Sequence, residues 1–138
     1  MGKHEATVQK DTMLDAAGRG QCWRNNVGAC VDEKGNHVRY GLANTSRQMN
    51  RVIKSSDLIG YETVEITPDM IGKKVAIFTA FEIKEEDWIP AKSGSRYDRE
   101  NAQDKFMGIV REGGGIAGFV RSLADVAEIR RNYFSHDT

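Results

Sequence analysis

Glu82, Ile83 and Lys84 close the run "VAIFTAF", Val75 to Phe81, placing a carboxylate and an ammonium two positions apart at the end of an apolar segment. Side chains alternate along a strand, so Glu82 and Lys84 share one face and Ile83 points into the opposite layer. An acid and a base fixed on one face can hold a cation and orient a water. The same pair can also be the polar punctuation of a strand leaving a core. E-x-K alone is weak, because charged residues are 29% of the chain, and the pattern recurs at Asp32-Glu33-Lys34 beside a turn at Gly35. Glu82 differs in ending a strand expected to be buried on both faces, where unpaired charge is costly.

A partner follows from the neighbouring segment. "SDLIGYETVEIT" (Ser56 to Thr67) and "KKVAIFTAFEIK" (Lys73 to Lys84) both read as strands, with Pro68 and Gly72 punctuating the "PDMIG" between them. An antiparallel hairpin centred between Asp69 and Met70 sets Asp57 opposite Glu82, give or take a bulge. Two carboxylates beside a lysine make a hard oxygen site suited to Mg²⁺ or Mn²⁺. Such an ion can polarise a phosphodiester and acidify a bound water, and Lys84 can orient that water or offset charge on the phosphate. A structural salt bridge of Asp57 or Glu82 with Lys84 explains these residues equally well. Both readings stand at this point.

Rival chemistries find less support. His4, His37 and His136 lie in polar segments and read as surface residues, and no Ser-His-Asp or Cys-His set presents itself. The glycines of "EGGGIAG" follow a helix and precede a strand, the reverse of the order in a phosphate-cradling loop. Cys22 and Cys30 match neither a disulfide framework nor a zinc spacing, and read as small, buried, reduced residues.

The elements that must position the site are legible as follows. Glu5 to Ala17 reads as a short amphipathic helix with Ala6, Met13, Leu14 and Ala17 to one side, stopped by "GRG". "CWRNNVGACVD" and "HVRYGLA" read as two strands joined at "EKGN", and Thr45 to Lys54 as irregular. Glu85 to Glu100 reads as a polar loop, Asn101 to Arg111 as a helix with Phe106, Ile109 and Val110 inward, and "IAGFV" as a short buried strand. Ser122 caps a last helix, "LADVAEIRRNYF", with Asp125 completing an imperfect capping box. The order predicts an α/β or α+β domain around one sheet.

At 138 residues the chain is expected to be a single domain, 1–138. Lys and Arg number 20, as do Asp and Glu, so net charge excludes no partner class. One asymmetry hides in that balance: Lys34 to Ser56 carries Lys34, Arg39, Arg47, Arg51 and Lys54 with no acid. That tract is either a solvated loop or a phosphate-contacting surface. No apolar run approaches the ~18 residues of a membrane span, so the expectation is a soluble cytoplasmic protein with no membrane partner.

"SDLIG" at Ser56 to Gly60 followed by "FEIK" at Phe81 to Lys84 resembles the PD-(D/E)xK nuclease motif, and more narrowly the VRR-NUC (virus-type replication-repair nuclease) branch, whose small stand-alone members are common in phages. Glu5 in an N-terminal helix, "RNNVGA" (Arg24 to Ala29), "ITPDMIGKKVAIFTAFEIK" (Ile66 to Lys84), Gln103 entering a helix, and "GGIAGFVRSLADV" (Gly114 to Val126) are similar to that branch too. The resemblance covers nearly the whole chain. It implies a restriction-endonuclease-like core, a central mixed sheet flanked by helices. It also implies a Mg²⁺- or Mn²⁺-dependent endonuclease acting on DNA, with Asp57, Glu82 and Lys84 as the core site. By the same resemblance the Ile83 carbonyl and Glu5 join the metal ligands and Gln103 stands near the site, where it would orient Lys84 or the phosphate; in that scheme Arg24, Arg39, Arg47, Arg51 and Lys54 are candidates for contacts to the DNA backbone. Stand-alone relatives imply a homodimer cutting branched DNA such as four-way (Holliday) junctions, in the host cytoplasm if phage-encoded. A nickase, a flap cutter and a non-catalytic DNA-binding module are the alternatives. Two departures stand out: Ser56 replaces the motif's proline, and the loop from Glu85 is long, opening on Glu85, Glu86 and Asp87.

Overall fold

The structure is a computed structural model that describes residues 4–135. Among the described residues, four α-helices and six strands form two compact units, Met1–Glu62 and Thr63–Thr138. The architecture is mixed α/β, with antiparallel ladders in the first unit and a parallel one in the second.

In the first unit α1 (Glu5–Ala17) precedes β1 (Gly20–Arg24), β2 (Gly28–Val31), β3 (His37–Tyr40), α2 (Arg47–Val52) and β4 (Leu58–Glu62). The helix α1 forms over the residues expected and stops at Gly18; its half-buried stripe is Gln9, Met13 and Ala16, so Met13 lies inward as expected while Ala6, Leu14 and Ala17 are exposed. Asn25-Asn26-Val27 breaks the first expected strand into β1 and β2. The β2–β3 hairpin closes where expected: the Asp32 carboxylate accepts from the N–H groups of Lys34 and Asn36, and Gly35 supplies the positive φ of +83°. Residues 47–52 are helical rather than irregular, because the Ser46 hydroxyl caps α2 by accepting from Met49 N–H at 3.1 Å. Cys22 is half-buried and Cys30 exposed, so the expected burial fails for Cys30, whose short strand is covered on neither side.

The second unit holds a 3₁₀ turn at Pro68–Met70, β5 (Thr79–Ile83), α3 (Gly94–Glu112), β6 (Ile116–Val120) and α4 (Leu123–Phe134). The expected hairpin between the strands flanking Pro68 does not form. Residues 63–67 and 71–78 are not in strands, a connection too long for a tight turn. β4 instead pairs antiparallel with β1, from Gly20 opposite Glu62 to Arg24 opposite Leu58, and β5 pairs parallel with β6, from Thr79 beside Ile116 to Ile83 beside Val120. Among the described residues, three two-stranded ladders therefore stand where a single sheet was expected.

The core of this unit lies around β6. Ile116, Ala117 and Val120 are buried together with Met107 and Val110 of α3, while α4 packs on the same strand. A Cβ on Gly118 would fall 2.7 Å from the Ile129 side chain, so glycine lets α4 approach β6 closely. The run Val75–Phe81 is not the doubly buried strand that its composition suggests: it becomes a strand only from Thr79, Val75 before it is 56% exposed, and within β5 Phe81 is 37% and Ile83 69% exposed. Among the described residues, no helix is long and apolar enough to cross a membrane. In urea titrations followed by circular dichroism, Met107→Ala is expected to cost about 2–5 kcal/mol, whereas Ile71→Ala, at a site 86% exposed, is expected to stay within about 0.5 kcal/mol of wild type.

Candidate active site

The helix α3 begins at Gly94, seven positions before the expected start at Asn101, and this changes which residues face the sheet. Glu100, Gln103, Met107 and Val110 recur at helical spacing, and this is the covered stripe; Phe106 and Ile109, expected inward, are flanks with 41% and 38% exposure. The lower half of the stripe is apolar and holds the helix on the sheet. The upper half is polar and meets the end of β5.

There Gln103 joins the two charged residues. Its Nε2 donates to Glu82 Oε1 at 2.7 Å, and its Oε1 accepts from Lys84 Nζ at 2.8 Å. Lys84 Nζ and Glu82 Oε1 are themselves 4.0 Å apart. Lys84 is covered to all but 14% of its side chain, and Glu82 keeps 37% open. The Lys84 backbone is fixed as well, since its N–H continues the ladder to the Val120 carbonyl at 2.9 Å. The Lys84 ammonium is therefore held in place with N–H donors to spare, beside a carboxylate with an open edge.

The approach to Lys84 is built by residues that sequence reasoning missed. Glu100, read as the end of a loop, is a buried carboxylate on α3. Its Oε1 accepts from Trp88 Nε1 at 2.6 Å and its Oε2 from Ala91 N–H at 2.8 Å, and Arg96 lies 3.4 Å away. The Ala91 N–H first, then the Trp88 N–H and the charges of Arg96 and Lys84, hold its pKa below the usual glutamate value against the opposing effect of burial. Glu100 thus ties the loop 84–93 to α3. The signal for it was the heptad-like spacing back from Val110, obscured by the polar composition of residues 94–100.

In the first unit the stretch Asn25–Val27 fixes the backbone leading into β4. Asn25 N–H donates to the Asp57 carbonyl at 2.8 Å, and Asn25 Nδ2 donates to Ser55 Oγ and to the Ser56 carbonyl. Asp57 is held by its main chain with its side chain exposed. It does not join Glu82 through a ladder, so the register that paired them is withdrawn. Glu5 is exposed in the first turn of α1. Among the described residues, no group of three or more His, Cys, Asp or Glu side chains is gathered as a metal cluster. Mg²⁺ is commonly held through one or two carboxylates with waters and substrate phosphates completing its shell, and the open edge of Glu82 suits that mode.

The basic residues divide. Arg47 and Arg51, one helical turn apart on α2, share an exposed face, and Arg24 is exposed at the end of β1. Lys54 is tied to Asn50 through its carbonyl and Oδ1. Arg39 is half-buried and donates to Asn44 Oδ1 at 2.9 Å, while Asn44 Nδ2 binds the Gly28 and Tyr40 carbonyls. Arg39 is thus part of the loop's scaffold. His4 and His37 are exposed as expected; His136 lies outside the described residues.

Compared with protein-family models, curated proteins and solved structures, the chain matches none of them.

The Glu100 tether sets a pH dependence. A carboxyl whose pKa is depressed by folding stabilises fully above its unfolded value, about 4.3, and loses that contribution as pH falls through the lower folded value. The stability difference between wild type and Glu100→Gln, measured by urea titration, is therefore expected to be constant near neutrality and to shrink below about pH 4.3. A difference independent of pH would show that the carboxylate's charge is not what holds the loop.

Proposed function

We propose that this chain is a divalent-cation-dependent nuclease of the PD-(D/E)xK kind, of the VRR-NUC branch, that hydrolyses phosphodiester bonds of DNA. The observation that carries the reading is the Gln103 amide spanning Glu82 and Lys84. Acid and base form an ion pair at its longest, 4.0 Å apart, and one amide serves both. Such spacing leaves each group a free side for substrate.

The motif assigns Glu82, Asp57, Glu5 and the Ile83 carbonyl to Mg²⁺ or Mn²⁺. The donors are hard oxygens, the class both ions take. When bound, the ion supplies Lewis acidity and a more acidic water. The chain's own part is positional. Lys84 donates to the attacking water or to a non-bridging phosphate oxygen, offsetting charge that grows as the water oxygen bonds phosphorus and the sugar oxygen leaves. Gln103 fixes Lys84 and Glu82 relative to one another, so neither reorganises during the reaction.

Arg47 and Arg51 are the best-placed contacts for the DNA backbone, with Arg24 in support, whereas Arg39 and Lys54 are largely engaged within the protein. Resolution of a four-way junction needs matched cuts in two strands, and one copy offers one site. The proposal therefore extends to a two-fold homodimer. Tyr40, Leu42 and Met49 are exposed apolar side chains near the basic tract that suit such a surface; Trp23, also considered, is instead half-buried, with its ring edge-on to Tyr61.

The test is cleavage of labelled duplex, nicked, flap and four-way DNA with Mg²⁺ or Mn²⁺ and with chelator. Glu82→Ala, Lys84→Ala and Gln103→Ala are each expected to lower the rate, the first two by about two orders of magnitude or more. Lys84→Ala should retain metal binding and Glu82→Ala should weaken it. Full activity in Glu82→Ala would overturn the proposal.

A further inference from the structure

The loop after β5 returns an indole to the site. Lys84 Nζ lies 5.6 Å from the ring centre of Trp88 and 5.5 Å from that of Phe119, within the range at which a cation is attracted to an aromatic face. The two rings stack on each other, 4.9 Å apart and 29° from parallel. Each is anchored independently of the lysine. Phe119 sits on β6, beside Glu82 in the parallel register, and Trp88 is tied through Nε1 to the buried Glu100.

A lysine has a long flexible stem, and hydrogen bonds to Gln103 alone leave it other rotamers. Two fixed π-faces beside the ammonium restrict that choice without adding an acceptor that would compete with substrate for its N–H donors. We propose that Trp88 is a positioning residue for Lys84: held by Glu100 and stacked on Phe119, its ring keeps the ammonium in the rotamer that serves Gln103 and Glu82. The catalytic consequence rests on the nuclease reading; the placement of Lys84 does not.

The experiment has two readouts on Trp88→Ala, Trp88→Leu and Trp88→Phe. One is the rate at which limiting acetic anhydride acetylates Lys84, read by peptide mass spectrometry with the exposed Lys73 and Lys105 as internal references. The other is kcat and KM for DNA cleavage. In Trp88→Ala, Lys84 is expected to acetylate about five- to tenfold faster while the references stay unchanged, and kcat to fall by a similar factor at constant KM. Trp88→Phe keeps a ring but loses the Glu100 tether, and should fall between. Lys84 labelling unchanged in Trp88→Ala overturns the proposal. Should all three lysines accelerate together there, the protein has loosened, and the comparison of Leu with Phe decides: equal labelling overturns the proposal, and faster labelling in Leu supports it. Protection of Lys84 by Trp88 in a protein that cuts no DNA would sink the nuclease reading and leave the placement standing.

Discussion

One primary amide holds the candidate site together. The Gln103 side chain presents two donor hydrogens at one end and two acceptor lone pairs at the other, so it satisfies a carboxylate and an ammonium simultaneously. The direct ion pair between the two charges is then a long one, 4.0 Å, and the amide carries the shorter contacts. A glutamate at this position would repel Glu82, and a methionine would leave both charges without a bridge in a partly covered place. Everything else in the second unit bears on where that amide stands. Met107 and Val110 seat α3 on β6, Gly118 lets α4 close the other side, and the ladder from Lys84 to Val120 fixes the strand end that Gln103 must meet.

Glu100 extends the same logic by one helical turn. Buried carboxylates are costly unless fully hydrogen-bonded, and this one accepts from an indole and a main-chain amide while Arg96 lies nearby. Its effect is to turn a loop that opens on Glu85, Glu86 and Asp87 into a fixed wall beside Lys84. Those three acidic side chains are exposed, on a turn that the Trp88 N–H closes by donating to the Glu85 carbonyl at 3.0 Å.

Local signals carried much of the fold. Helices α1 and α4, the buried strand Ile116–Val120 and the Asp32–Asn36 turn all lie where periodicity and turn chemistry put them, although the Ser122 side chain makes no cap bond and Asp125 accepts from the Arg121 N–H instead of completing a capping box. Those elements are specified within their own few residues. Strand pairing is not, since it depends on which distant segment supplies the better ladder. A smooth hairpin register thus set Asp57 against Glu82 although β4 pairs with β1 and β5 with β6. The N-terminal half of α3 was hidden for a different reason: Ser93 makes no side-chain cap bond, and residues 94–100 are polar around most of the helix. Glu82 and Lys84 were legible as chemistry because their types are costly at the end of a strand, whereas Gln103, inside α3, was named only through the family resemblance. Glu100 and Trp88 were not, because their role is to support, and that appears only once the helix is extended.

The claim on which this account turns is that Glu82 is a cation ligand and not half of a structural salt bridge. Manganese broadens the NMR signals of nearby nuclei, so adding it in substoichiometric amounts to protein with the Gln103 side-chain amide assigned reads out the site without any DNA. The account predicts selective broadening of that amide and of the Lys84 backbone signal, abolished in Glu82→Ala. Equal and weak effects across the whole spectrum, with the Gln103 amide no more affected than the exposed surface, would contradict it.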